Sequence, residues 1–301
     1  MTDPVRTAER LADGFAVRAD GYDRDAAYPT EDVEAIREAG LLRLMVPSEL
    51  GGMGAGFAEY VEVAEALARG NGSTALLFNM HASVTGALAG IPEDMARALG
   101  ATDAFFDTRE RVLRAAARGA VYGVAITEPE AGSRLTKLRT SYQRTDGGYR
   151  IEGFKSVVSG AGRLDAYLVA ARDAASTDDD PRISYFLVPA DGGIRVRDDW
   201  DPLGMRATAS NGIELDAEVG DDALVGVEGI AVMLAYAMPQ WLVASYAAVY
   251  VGVARAAVNA AVTYITGRTV AGERGGLGRL PAVRARLGRV DAAVAATRLV
   301  L

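Results

Sequence analysis

The sequence predicts an α+β protein in three consecutive parts: a helical domain over residues 1–119, an antiparallel β-barrel domain over 120–225, and an incomplete helical bundle over 226–301. Three observations carry that reading. Up to Gly119, apolar residues recur at helical spacing. From Ala120 to Val225, short apolar runs alternate with turn residues and no helix intervenes. From Val227 the helical spacing returns and continues to the last residue. Short strands spaced in this way close an antiparallel barrel or sandwich.

In chain order, Glu31 to Ala39 reads as a helix with Thr30 as its N-cap, acids in its first turn and Gly40 as its stop. Leu41 to Val46 is a short apolar run, and Pro47 to Gly54 a turn. Phe57 to Arg69 repeats apolar residues at helical spacing, and Asn71-Gly72 closes it. Thr74 to Ala89 is a further, mostly apolar helix holding His81, and Met95 to Arg118 holds one or two more. In the middle part, Asp146-Gly147-Gly148 turns a hairpin into Tyr149 to Glu152. Ala166 to Ala171 and Ile183 to Pro189 are apolar strands, with Ile194 to Val196 and Ile213 to Leu215 adding to the sheet. Gly229 to Ala254 carries no charged side chain and is long enough to cross a bilayer. Pro239-Gln240 interrupts it, so a buried helix at the centre of a bundle or a subunit interface is expected rather than a membrane span. Ala282 to Leu301 is a last helix, rich in Ala and Arg. The basic stretch from Arg268 to Arg298 reads as one polar face, with an anionic ligand or an acidic partner subunit as alternatives.

Composition narrows the function. Half of the 301 residues are hydrophobic, enough for a sizeable core, and a net charge of −8 argues against a general nucleic-acid binder. The absence of cysteine removes disulfides, thiolate metal sites and cysteine nucleophiles, and accords with a cytoplasmic location. Met1 to Pro4 lacks the regions of a signal peptide. With His81 as the sole histidine, a histidine-rich zinc site is excluded.

The stretch Ile126-Thr127-Glu128-Pro129-Glu130-Ala131-Gly132-Ser133 follows the apolar run Ala120 to Ala125. Pro129 rules out a helix, Ala131-Gly132 allows close backbone approach, and Thr127 and Ser133 supply hydroxyls. Such a strand exit suits a polar, planar or phosphorylated ligand held by N–H groups and hydroxyls. An ordinary turn is the plain alternative. The stretch resembles the flavin loop of the acyl-CoA dehydrogenase family. Two further stretches, in the same order and spacing, share that resemblance: Gly153-Phe154-Lys155-Ser156-Val157-Val158-Ser159-Gly160-Ala161-Gly162, and Trp200-Asp201-Pro202-Leu203-Gly204-Met205-Arg206-Ala207-Thr208-Ala209-Ser210.

The resemblance implies an acyl-CoA dehydrogenase-like fold, FAD, an acyl thioester such as acyl-CoA as substrate, an electron acceptor, and homo- or hetero-oligomers of family members. It implies α,β-dehydrogenation with hydride passing to flavin N5. By resemblance, Val124, Ile126 and Thr127 meet the flavin, with Thr127 and the Ile126 backbone on its pyrimidine edge. Ser133 meets the acyl-CoA or the cofactor phosphates. Val157, Val158 and Ser159 flank the ring, with the Ser159 hydroxyl near N5. Val157 stands where the family has Trp, which leaves one flavin edge more open to oxygen or a bulky substrate. Arg206 reads mainly as structural, and Arg134 reverses the charge of the family's usual Asp. Arg268 matches an Arg that reaches the flavin diphosphate of a neighbouring subunit, and an exposed helix-end Arg is the plain reading.

No catalytic base is assigned. The resemblance puts the carboxylate either in helices beyond residue 301 or on the central helix. There, alignment through Gly252 sets Leu242 with Val243 beside it, and neither takes a proton. Glu128 matches a structural Glu of the family. His81, on an apolar helix face, reads as a packed histidine; in flavin monooxygenases of the same fold, a helix His acts beside a Ser at the Ser159 position. The alternatives are therefore such a monooxygenase, or a non-catalytic subunit partnering an active homologue.

Overall fold

Asp3 accepts hydrogen bonds from the N–H groups of Val5 (3.0 Å) and Arg6 (3.2 Å) and so opens the first helix, α1 (Pro4–Asp25). This computed structural model describes residues 3–241, 243–268 and 276–301. The helices α2 (Thr30–Glu38), α3 (Phe57–Gly70), α4 (Gly72–Gly90), α5 (Glu93–Ala98) and α6 (Asp103–Ala117) follow. Thr30 is not the N-cap of α2: it is the first helical residue, after Pro29, and no side chain caps that end. Asn71 serves two helices. It ends α3, and its side-chain oxygen caps α4 at Ser73 N (3.0 Å) and Thr74 N (3.4 Å).

The buried Asp32 gathers these helices. Its carboxylate takes Arg18 of α1 at 2.6 Å, the Asn71 amide at 3.2 Å and the Thr74 hydroxyl at 2.8 Å. Burying a carboxylate out of contact with solvent is costly unless its oxygens are hydrogen-bonded, and these three partners supply the bonds. Helix α4 is buried nearly all round, which explains why its sequence is apolar without a polar face.

The strands are β1 (Tyr122–Ala125), β2 (Ser141–Thr145), β3 (Gly148–Lys155), β4 (Ala166–Asp173), β5 (Ile183–Pro189), β6 (Ile194–Val196), β7 (Ile213–Gly220) and β8 (Leu224–Val225). They form one sheet in the order β6-β7-β3-β2-β4-β5-β8, with β1 also on β4. The β2–β3 hairpin turns at Asp146-Gly147, as its sequence requires. The sheet is mixed, however, not wholly antiparallel: β1 and β2 both run parallel to β4. They lie end to end along one edge of β4, β1 opposite Ala166–Val169 and β2 opposite Arg172–Asp173. The chain between them, residues 126–140, leaves that edge and rejoins it without reversing direction.

After β8 come α7 (Ala231–Ala237), a short 3-10 turn at Pro239–Trp241, α8 (Ala244–Gly267) and α9 (Pro281–Arg298). Pro239 thus separates two helices. The stretch from Pro239 to Gly267 is long and apolar enough to cross a membrane by length and composition alone. Its first half packs on α3, while Tyr250, Val262 and Tyr264 remain exposed, so α8 is buried along one face only. Helices α8 and α9 meet at Val251, Val258 and Val294, and Arg298 pairs with Glu65 of α3 at 2.6 Å.

The closest approach of α8 to α3 is at Gly252, where a Cβ would lie 2.4 Å from the Glu65 carbonyl oxygen and 2.6 Å from Ala68 Cβ. Gly252→Ala should lower the unfolding free energy by about 1–2 kcal/mol, because overpacking against backbone outweighs the gain in helix propensity. At Gly288 on α9 nothing lies within 4 Å, and the same substitution should raise it by roughly 0.5–1 kcal/mol. Urea midpoints at unchanged m-value read both signs.

Candidate functional site

The loop 126–140 is held shut from beneath. Glu128 and Gly132 exchange backbone hydrogen bonds (3.0 and 2.8 Å) across a turn whose Gly132 has φ +60°, the left-handed region that glycine enters freely. The Glu128 carboxylate accepts from the N–H of Arg139 (2.7 Å) and of Thr140 (3.0 Å), joining the two ends of the loop. Lys155, the last residue of β3, has no solvent exposure and donates to Glu128 at 2.8 Å and to the Ile126 carbonyl at 3.3 Å. Burial pulls the Lys155 ammonium down to about 8, against the attraction of Glu128. Burial alone would raise the Glu128 carboxyl; Lys155 and the two N–H groups outweigh it and hold the carboxyl below the usual range.

Beside the loop stands a row of hydroxyls. Ser159 Oγ lies 2.9 Å from Ser210 Oγ, and Ser210 Oγ 2.7 Å from Thr208 Oγ1, all three buried. Met205 (φ +55°) and Ala209 (φ +45°) both adopt the left-handed region, so the chain turns sharply on either side of Thr208. Asn211 pins the preceding loop through the N–H groups of Asp199 (3.1 Å) and Trp200 (3.0 Å).

Residues of the loop and the hydroxyl row line one cavity of about 780 Å³, within the range of small-molecule and cofactor sites. Val124, Ile126, Thr127, Ser133, Val157 and Ser159 all face it, so the structure brings together six of the eight cofactor positions expected from sequence. Val158 does not: it is fully buried behind the wall, its N–H on the Asn211 carbonyl at 3.2 Å. Arg268 is also elsewhere, exposed at the end of α8, on the Tyr264 hydroxyl and over its ring at 5.2 Å. The opposite wall is apolar and comes from α4 and the α7–α8 region, including Met80, Val84, Met238, Trp241 and Tyr246. Among the described residues, none lining the cavity carries a charge. Two lining groups are buried and unpaired, Ser83 Oγ and Trp200 Nε1. A cavity with orphaned polar atoms on its wall is built to hold a ligand that satisfies them.

His81 lies outside this lining. One ring nitrogen, Nε2, donates to the Leu42 carbonyl at 2.6 Å, and the other, Nδ1, accepts the Tyr122 N–H at 3.2 Å, which ties α4 to β1. Both nitrogens are engaged and burial lowers the ring to about 4, so His81 is a neutral structural residue and the catalytic placement considered for it does not hold. Arg206 is structural as expected, donating to the Asp23 carbonyl (2.9 Å) and the Pro202 carbonyl (2.9 Å). Arg134 folds back onto the Ala131 carbonyl at 3.1 Å. Val243 is exposed and also reaches the cavity edge; Leu242 lies outside the described residues.

Helical, sheet and helical parts around a cavity whose described lining is uncharged, with hydroxyls on the sheet side, define the class: a fold that leaves a ligand-sized space between a β-domain and helices. The chain belongs to the acyl-CoA dehydrogenase family, whose members are flavin oxidoreductases, dehydrogenases or monooxygenases. The family's N-terminal domain model matches residues 5–119, and its middle domain model residues 123–217. YdbM of Bacillus subtilis (strain 168), provisionally named an acyl-CoA dehydrogenase, is 30% identical over 291 residues, 94% of this chain and 71% of YdbM. The FMN-bound TdsC of Paenibacillus sp. A11-2, a dibenzothiophene monooxygenase, superposes with a TM-score of 0.82 at 28% identity, over 99% of this chain and 75% of TdsC. Butyryl-CoA dehydrogenase of Megasphaera elsdenii gives 0.82 at 22% identity, over 99% and 77%, and so shares the fold.

Sequence reasoning missed the Lys155–Glu128 pair, the Ser159–Ser210–Thr208 row, Ser83 and Trp200. The first two carried a signal: a lysine in an otherwise apolar strand end, and three hydroxyl residues within short reach of matched motifs. Ser83 and Trp200 carried none, because their lack of partners exists only in three dimensions.

Lys155→Met leaves the Glu128 carboxylate buried without its counter-charge and should remove about 3–5 kcal/mol of stability. Adding Glu128→Gln should recover part of that loss, measured as a double-mutant cycle in denaturant. The pH dependence of stability tests His81. The unfolded chain binds its proton near pH 6.5 and the native ring only near 4. Stability is therefore fully present above pH 6.5 and falls as pH drops towards 4, by up to about 1.4 kcal/mol per unit. Since the chain has one histidine, His81→Gln should flatten the slope between pH 6.5 and 5.

Proposed function

We propose that the cavity is a flavin site and that the chain is a flavin-dependent oxidoreductase acting on an apolar substrate. The observation that carries this reading is the division of the cavity wall. Thr127, Ser133, Ser159, Thr208 and Ser210 gather on the β-domain side, and, Ser83 apart, mainly aliphatic and aromatic side chains cover the rest. A planar, polar-edged ring fits the first wall, and an apolar chain or ring the second. Family membership and the FMN held by TdsC support the same cofactor. When bound, a flavin supplies a two-electron redox centre.

In this reading Thr127 and the Ile126 backbone hold the pyrimidine edge, and Ser159 addresses the central ring. Ser83 and Trp200 give otherwise unpaired groups to cofactor or substrate. The Lys155–Glu128 latch keeps the loop in the shape that presents Thr127 and Ser133, without itself reaching the cavity. FAD is the form implied by family resemblance, and FMN is to be tried beside it.

For the reaction, family membership and the likeness to YdbM support α,β-dehydrogenation of an acyl thioester. It needs a carboxylate to take the α-proton. Since no described lining residue supplies one, we assign that role to a group outside this lining, with a neighbouring subunit of an oligomer as its source. An external electron acceptor would then complete turnover. The uncharged lining and the likeness to TdsC favour a second reading, flavin-dependent oxygenation, which needs no such base.

The test is the visible absorption spectrum of the purified chain with FMN or FAD, before and after anaerobic addition of a series of acyl-CoAs. Flavin that binds and bleaches with an acyl-CoA identifies the dehydrogenase. Flavin that binds, stays oxidised with every acyl-CoA and, once reduced with dithionite and given oxygen and dibenzothiophene, consumes oxygen and yields an oxygenated dibenzothiophene identifies the oxygenase. A chain that takes up no flavin overturns the reading.

A further inference from the structure

We propose that Thr208 and Ser210 are positioning residues: they fix the Ser159 hydroxyl as a hydrogen-bond acceptor towards the cavity and thereby favour the reduced over the oxidised form of a flavin held there. The inference deepens the flavin reading above and rests on it.

The direction of the hydroxyl row follows from counting protons. Each hydroxyl has one proton to give and two lone pairs to receive with. Thr208 Oγ1 lies 2.9 Å from the Met205 carbonyl oxygen, which can only accept, so Thr208 is the donor there. Its proton is then committed, and in the 2.7 Å contact with Ser210 it must accept. Ser210, having donated to Thr208, must accept in its 2.9 Å contact with Ser159. Ser159 therefore points its proton away from the cavity and presents lone pairs to it. Reversing the row would remove the hydroxyl bond to Met205 in a region where Thr208 is 0%, Ser210 2% and Ser159 8% exposed, so water does not compensate.

The backbone holds the row in register. Gly160 N donates to the Thr208 carbonyl at 2.8 Å, and Ala161 N to the Ala209 carbonyl at 3.2 Å, binding the segment after β3 to the turn before β7. The left-handed residues Met205 and Ala209 bracket Thr208 in this turn. Backbone conformations of this kind in non-glycine residues persist where surrounding contacts over-determine them.

The consequence is chemical. In the oxidised isoalloxazine, N5 carries a lone pair and asks for a donor. Two electrons and a proton convert it into an N–H group that asks for an acceptor. A Ser159 held as acceptor complements the second state and not the first, so the row tilts the equilibrium between them.

The experiment measures the affinity of the flavin-free chain for oxidised and for dithionite-reduced FMN and FAD, by anaerobic titration, in the wild type and in Ser210→Ala. Without Ser210, Ser159 is free to turn its proton into the cavity. The ratio of reduced to oxidised affinity should fall about tenfold, which lowers the two-electron midpoint potential by about 30 mV. Ser210→Thr keeps a hydroxyl and should keep the ratio. Thr208→Val breaks the row one step further back and should move it in the same direction, which keeps the test available if one variant folds poorly. In a Ser159→Ala background, Ser210→Ala should move the ratio by less than about twofold, because its action passes through Ser159. Bound flavin with an unmoved ratio, or an equal change in the Ser159→Ala background, overturns this inference alone. No flavin uptake in either redox state overturns it together with the proposed function.

Discussion

A lysine ammonium without solvent contact, set against a glutamate carboxylate under the loop 126–140, is the constraint on which the site depends. Lys155 ends β3 and Glu128 begins the loop, so their 2.8 Å contact ties the sheet to the segment that interrupts its edge. The sheet fixes only the ends of that segment, through the pairing of β1 and β2 with β4. Apart from a 3-10 turn at Leu135–Lys137, everything between is loop, and such a segment of about fifteen residues has no reason of its own to hold one shape. Glu128 supplies the reason. By receiving the N–H groups of Arg139 and Thr140, it brings the far end of the loop back to the near end, and Lys155 makes that carboxylate tolerable in the interior.

The parallel placement of β1 and β2 on β4 was not legible in the sequence. Strand propensity and turn residues locate strands, and the Asp146-Gly147 hairpin was plain. Parallel pairing, by contrast, depends on where a strand re-enters the sheet, which no local pattern encodes. Helix positions were readable because α3 and α6 keep apolar spacing and α4 is a long, mostly apolar run opened by Asn71; the Thr30 cap was not, since Pro29 already fixes the helix entry and leaves that hydroxyl outside the capping position. The cofactor wall was readable as far as motif and position coincide, from Val124 to Ser159. Val158 and Arg268 mark where it stopped. One residue of a motif can face the core while its neighbours face the ligand, and a helix-end arginine finds its partner in space, here Tyr264 one turn back.

The helical half contributes through burial instead of chemistry. Asp32 collects α1, α2 and α4, and His81 fastens α4 to β1 through one ring nitrogen and to the Leu42 carbonyl through the other. These polar contacts lie outside the cavity lining, and they set where the apolar side chains of α4 stand. A histidine neutral at every ordinary pH suits this role, because a titrating one would couple the domain contact to solution acidity.

Charge is thus kept out of the cavity and concentrated behind it. Lys155 and Glu128 are buried and paired with each other, and Asp32 is buried and paired with Arg18, while the groups that reach the cavity are hydroxyls, an indole N–H and apolar side chains. In an interior of low dielectric, a fixed charge on the wall would favour one charge state of a ligand by many kcal/mol and trap it there. Oriented neutral dipoles favour one state by roughly a single hydrogen bond, which is small enough for the ligand to pass between states. The direction of a hydroxyl row then becomes the adjustable quantity, and in this chain it is set at the Met205 carbonyl, three hydrogen bonds back from Ser159.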